Sequence, residues 1–265
     1  MSAAQLKAEA WRVRNARDEK VRHQAQRVRN LLAERPHLNG DLKNQVLQGS
    51  AASLVELLNN RTVTSVDALL LLAERAYTIG LDLCLIAEDN FEEALRTAEE
   101  CDQKRTESGL KNWTFETVEG EESLPCLFGV PLSVKESILM KGFASTAGSV
   151  VKYRVKEAED GILIDVLRKG GLIPFVRSNV AQVVMTYEST NEMFGRACNP
   201  WNKTRTTGGS SGGEGGLIGS RCSLVGVGSD VGGSIRIPCE FNGVYGLKPS
   251  SHRLQFGHMY NQPLI

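Results

Sequence analysis

The sequence predicts an α/β fold set behind an N-terminal helical layer, and three observations carry the prediction. Apolar residues recur at helical spacing through the first hundred positions, strand-length apolar runs begin only near Leu127, and those runs alternate with a helix-length segment. The composition suits a packed chain. Of 265 residues, 41% are hydrophobic and 23% charged, enough for one large domain or two small ones.

The helical layer opens on a basic segment, Met1 to Arg35, with nine Lys or Arg against four Asp or Glu. Val21, Ala25, Val28 and Leu32 fall on one helical face, so residues 1–35 read as a basic amphipathic helix. Packing of that face on the domain is the favoured reading, with peripheral membrane contact as the alternative. LVELLNN, SVDALLLLAERAY and NFEEALRTAEECDQ follow as helices, with Ser65 and Asp67 as candidate caps of the second and Asn90 opening the third. KNWTFETVEGEESLP is polar and turn-rich, and the change of composition after it places a boundary between an N-terminal helical region, 1–123, and a second region, 124–265. LFGVPLSV reads as a strand, DGILIDVLRKGG as a helix ended by Gly170 and Gly171, and LIPFVRSN as a second strand. GEGGLIGSRC reads as a helix despite its glycines. SLVGVGSD reads as a further buried strand delivering VGGSIRIP.

Bulk properties exclude several functions. With 31 basic and 31 acidic residues the chain has no net charge, so nothing calls for nucleic acid. The six cysteines are widely spaced with no C-x-x-C pair, which gives neither a zinc site nor a disulfide framework; they read as reduced and mostly buried. No apolar run is long enough to cross a membrane, and the charged start does not resemble a signal peptide. A soluble or peripheral chain, cytoplasmic or on the cytosolic face of an endomembrane and not secreted, is therefore expected, and no metal or cofactor is called for.

The chemistry concentrates in TTGGSSGGEGG, residues 206–216. A linker would not alternate with buried apolar runs, and a P-loop requires a lysine after its second glycine, which is absent. The pattern G-x-S-x-G places Ser211 in a nucleophile elbow, but such a site needs a histidine base, and His23, His37, His252 and His258 show no telling spacing, so a triad completed by chain beyond Ile265 stays the runner-up. A neutral lysine can replace histidine as base when burial lowers its pKa. Lys135, just after a strand, is the candidate, although a lysine there also fits a solvated surface residue. Its neighbour Glu136 would point to the opposite face.

Three segments decide between these readings: GVPLSVKESILMKGFASTAGS, TTGGSSGGEGGLIGS and GVGSDVGGSIRIPCEFNGVYGLKPS. Together they resemble the amidase signature family of serine hydrolases, and SNVAQVVMTYESTNEMFGRACNPWN is similar to its fatty acid amide hydrolase branch. The resemblance implies a mixed sheet flanked by helices, of which this chain holds the N-terminal portion, incomplete on its C-terminal side. It makes Ser234 the nucleophile, Ser210 the bridging serine after a cis Gly209–Ser210 bond, and Lys135 the base, at separations of 75 and 24 residues. Ser211 becomes a neighbouring loop residue. Val231, Gly232, Gly233 and Ser234 are expected to line the oxyanion with backbone N–H groups. Val184 stands where that branch places a substrate-contacting methionine, and Met185 is expected in the core. Asp230 and Arg236 are expected to brace the nucleophile loop, and Glu214 to sit at a helix N-terminus favoured by the macrodipole. The implied reaction is hydrolysis of fatty acid amides, through an amide or ester bond, to a free acid and an amine by way of an acyl-enzyme. That reaction belongs to lipid degradation. An amidotransferase-type subunit and an inactive chain acting by association are the alternatives, and a homodimer is left open.

Overall fold

A computed structural model of the protein describes residues 1–113, 122–250 and 253. The turn-rich separator lies partly outside these residues, as do His252 and His258. Five α-helices lead the chain: α1 (Ala3–Ala33), α2 (Gly40–Gln48), α3 (Ala51–Asn59), α4 (Ser65–Arg75) and, after strand β1 (Ile86–Asp89), α5 (Phe91–Ser108). Then come β2 (Pro131–Lys135), α6 (Ile162–Lys169), β3 (Ile173–Ser178), the short pair β4 (Thr190–Asn191) and β5 (Gly195–Arg196), α7 (Gly212–Gly219), β6 (Gly226–Val227) and α8 (Arg236–Asn242). The main sheet is mixed, with strand order β1-β3-β2-β6: β2 runs parallel to β3 and β6, and β1 antiparallel to β3.

Helix α4 is the centre of the helical layer. Every residue from Ser65 to Ala73 is buried, as expected of a helix apolar on all sides. Its N-terminus is capped by Thr64, one residue before the expected Ser65, with Asp67 completing a capping box. Asp102 on α5 accepts the next two orphan donors, the N–H groups of Ser65 at 2.7 Å and Val66 at 3.1 Å. One hydrophobic core takes residues from both sides of Leu124, running from Val21 to Cys222.

Strand β1 lies in a stretch expected to be helical. Its sequence, IAED, does not alternate because all four residues are buried, and the two acids find partners only through the fold. Glu88 accepts from Arg177 at 2.5 Å and Asp89 from the Tyr77 hydroxyl at 2.9 Å. At the other edge, the expected buried strand SLVGVGSD contributes only Gly226 and Val227, both half-buried. The apolar stripe of α1 is consumed by the core: Val21, Ala25 and Val28 are buried, and Arg17 is buried with them, bonded to the Ile86 carbonyl. Among the described residues no helix is long and apolar enough to cross a membrane. The six cysteines are free, but only Cys101 and Cys222 are buried and Cys126 is exposed.

Candidate active site

Strand β2 presents alternate residues to opposite faces. Leu132 and Val134 enter a small core with Ile138, Met140, Ile164 and Leu172, whereas Ser133 and Lys135 face the segment that leads into α7. Lys135 is fully buried at the C-terminal end of β2, paired in register with Ser178. Its Nζ lies 2.8 Å from Ser210 Oγ and 2.8 Å from Ser229 Oγ, and Ser210 Oγ donates to Ser234 Oγ at 2.9 Å. The three residues named from sequence therefore form a continuous polar chain. Ser210 is buried and Ser234 half-buried, so the chain runs from the interior to an accessible hydroxyl.

Backbone contacts hold each member in place. The Gly209–Ser210 bond is cis. A Cβ at Gly209 would come 2.7 Å from the Thr186 carbonyl and 2.9 Å from the Glu188 nitrogen, so only glycine fits there. Buried Ser189 donates to the Ser210 carbonyl at 3.2 Å and accepts from the Gly212 N–H at 2.8 Å. The Ser211 N–H donates to the Ser234 carbonyl at 3.1 Å, joining the two serine loops. Asp230 braces the second loop: it accepts from the N–H groups of Gly233, Ile235 and Arg236 and from two guanidinium nitrogens of Arg236. Burial works against its charge, but the bonds from Arg236 and the three backbone donors outweigh it and hold the carboxyl well below its ordinary range.

The lysine has no carboxylate within ion-pair distance among the described residues. Glu136, its neighbour, turns to the other side and accepts from the N–H and hydroxyl of Thr146 at 2.7 and 2.6 Å. Burial pushes the Lys135 ammonium down to about 7, against the opposing pull of Glu214, Asp230 and Glu136. Glu214, in the first turn of α7, is buried rather than merely placed by the helix dipole. Burial pushes it up to about 7, against the hydroxyls of Ser133 and Ser178 and the charge of Lys135. An amine that is half neutral near pH 7, joined by hydroxyls to the surface, has the properties of a general base.

A model of the family described as Amidase matches residues 69–264. The chain belongs to the amidase family. It is 51% identical over 134 residues to fatty acid amide hydrolase 1 of Caenorhabditis elegans, covering 51% of this chain and 23% of that protein. It is 36% identical over 218 residues to an acetamidase of Emericella nidulans, covering 82% and 37%, and 36% identical over 201 residues to human fatty-acid amide hydrolase 2, covering 76% and 37%. Among solved structures, a fatty acid amide hydrolase superposes with a TM-score of 0.75 at 30% identity, covering 87% of this chain and 38% of the other. The chain thus spans less than half the length of the curated relatives it matches.

In this amidase chain the remaining expected residues are placed less uniformly. Val231 is 81% exposed and Gly232 is exposed beside Ser234, but the Gly233 N–H is committed to Asp230 at 2.7 Å, which removes one of the four expected oxyanion donors. Gly233 itself, at φ +114°, would put a Cβ 2.7 Å from Ile237 Cδ1. Val184 is half-buried in a tight turn where Val183 and Val184 both take left-handed dihedrals, φ 49° and 51°. Such conformations cost about 1–3 kcal/mol each for branched residues and persist where surroundings impose them, here with the Val183 N–H bound to the Ala147 carbonyl at 2.6 Å. Met185 is 80% exposed, not in the core as expected, because that turn lifts it outward. Sequence reasoning missed Ser229, Ser133 and Ser189. The period of two counted back from Lys135 marks Ser133, whereas nothing local marks the other two.

Proposed function

We propose that the chain carries the acylating machinery of a serine amidase, with Lys135 as base, Ser210 as relay and Ser234 as nucleophile. The observation that carries this reading is the unbroken path from Lys135 Nζ through Ser210 Oγ to Ser234 Oγ, at 2.8 and 2.9 Å. A neutral amine can donate to Ser229 while its lone pair receives the Ser210 proton; Ser210 takes the Ser234 proton, and the alkoxide attacks the amide carbonyl. The oxyanion then meets N–H groups of Val231, Gly232 and Ser234, and the proton returns through Ser210 to the leaving amine. Water releases the acid from the acyl-enzyme. Asp230 and Arg236 brace the loop throughout.

The substrate class proposed is fatty acid amides. Exposed Tyr187 and Val231 support it, since they offer apolar surface beside the Ser234 loop, with the Tyr187 hydroxyl 3.9 Å from where a Gly232 Cβ would stand. Likeness to fatty acid amide hydrolases supports it further, while the acetamidase likeness supplies the competing substrate. A fluorophosphonate probe should label the folded chain at Ser234. Absence of label, or label that survives Ser234→Ala, would overturn the mechanism. Hydrolysis of acetamide without oleamide would overturn the substrate class alone.

A further inference from the structure

The compartment between β2 and α7 holds a second ionisable group that the proton relay does not use. Glu214 is 5% exposed, its Oε2 accepts from Ser133 Oγ at 2.6 Å, and its Oε1 has no partner among the described residues. Ser133 and Lys135 share one face of β2, so the acid bonded to Ser133 lies on the lysine's side of the strand, and both are buried. A carboxylate with only hydroxyl donors is costly there as an anion, and an ammonium with only hydroxyl partners is costly as a cation. Neutral acid beside neutral amine is favoured, and ionisation of either favours the opposite charge on the other.

We propose that Glu214 tunes the pH at which Lys135 becomes a base: protonated, it leaves the amine neutral, and ionised, it holds a proton on the amine. The inference rests on Lys135 being the base of the relay. Among the described residues the acids whose charge acts on the lysine are Glu214 on α7, Asp230 in the loop after β6, and Glu136 just past β2. Asp230 is bound to Arg236 and stays ionised, while Glu136 is turned to Thr146 and the Arg177 side. Among the described residues, Lys135 is the cation that acts on Glu214, beside the hydroxyls of Ser133 and Ser178. Glu136 is likewise pushed up by burial, so what sets Glu214 apart is its place on the lysine's own face of β2, through its bond to Ser133.

The test follows Lys135 directly, by NMR titration of lysine-labelled protein, and in parallel measures fluorophosphonate labelling against pH. Glu214→Gln should lower the Lys135 midpoint by about 1 pH unit and move the acid limb of labelling the same way. Ser133→Ala, which removes a bond that steadies the Glu214 anion, should move the midpoint in the same direction by less. A midpoint unmoved or raised in Glu214→Gln overturns the proposal, and if that variant fails to fold, the same outcome in Ser133→Ala does so. Loss of labelling in the unmodified chain sinks the relay, whereas a lysine midpoint that ignores Glu214 sinks the tuning role, so the two failures are distinct.

Discussion

Strand β2 turns two chemistries to its two sides, although both sides are equally buried. On one, Leu132 and Val134 pack with Ile138, Ile164 and Leu172. On the other, Ser133, Lys135 and Glu214 are buried with few polar partners and no ion pair among the described residues. Burial of the first set removes apolar surface from water and stabilises the fold. Burial of the second set stabilises nothing by itself; it moves two protonation equilibria toward pH 7. The comparison teaches that one strand can serve as support and as reactive surface when its period of two separates the roles.

The sharpest way to break this comparison is Lys135→Met. Removing a general base typically slows a reaction by about 10²–10⁴-fold, so labelling of Ser234 should fall by that order. Thermal or urea unfolding of the same variant at pH 6 should show a gain on the order of 1–4 kcal/mol, because an ammonium with no carboxylate partner is replaced by a side chain of similar volume. A variant that loses both labelling and stability would contradict the division of roles. On the opposite face, Leu132→Ala should cost about 2–5 kcal/mol by urea unfolding, while the pH midpoint of labelling stays where it was.

The pH dependence of stability sharpens the same contrast. Glu214, raised from 4.5 to about 7, contributes stability present below pH 4.5 and lost as pH rises to about 7. Lys135, lowered from 10.5 to about 7, contributes stability present above pH 10.5 and lost as pH falls to about 7. The pair therefore produces a stability minimum near pH 7. Subtracting the urea curves of a Lys135→Met, Glu214→Gln double variant from those of the parent chain should reveal that dip, and a flat difference would refute it. The smallest expected effect lies far from the site: Thr64→Ala should cost about 1 kcal/mol through the lost cap, with labelling unchanged.

Much of this was legible in the sequence, for identifiable reasons. Helical periodicity announced α1, α4 and α5, and glycine punctuation closed α6 at Gly170. The family resemblance carried by three glycine- and serine-bearing segments singled out Lys135, Ser210 and Ser234. Strand β1 was hidden because its acids are satisfied by Arg177, 89 residues away from Glu88, and by Tyr77, which only the fold brings to Asp89. Met185 was misjudged because the left-handed turn at Val183 and Val184 leaves no compositional trace.

By itself, then, the sequence determined α1, α4, α5 and α6, and through the family resemblance it named the side chains proposed to carry the chemistry, since periodicity and motif are local properties. Only the tertiary structure decided that Lys135 is fully buried without a carboxylate partner, that Glu214 shares its compartment, that Ser229 touches the same amine, and that Asp230 takes the Gly233 N–H. Burial and desolvation depend on what packs around a group from every direction. Those neighbours arrive from positions up to 94 residues away along the chain.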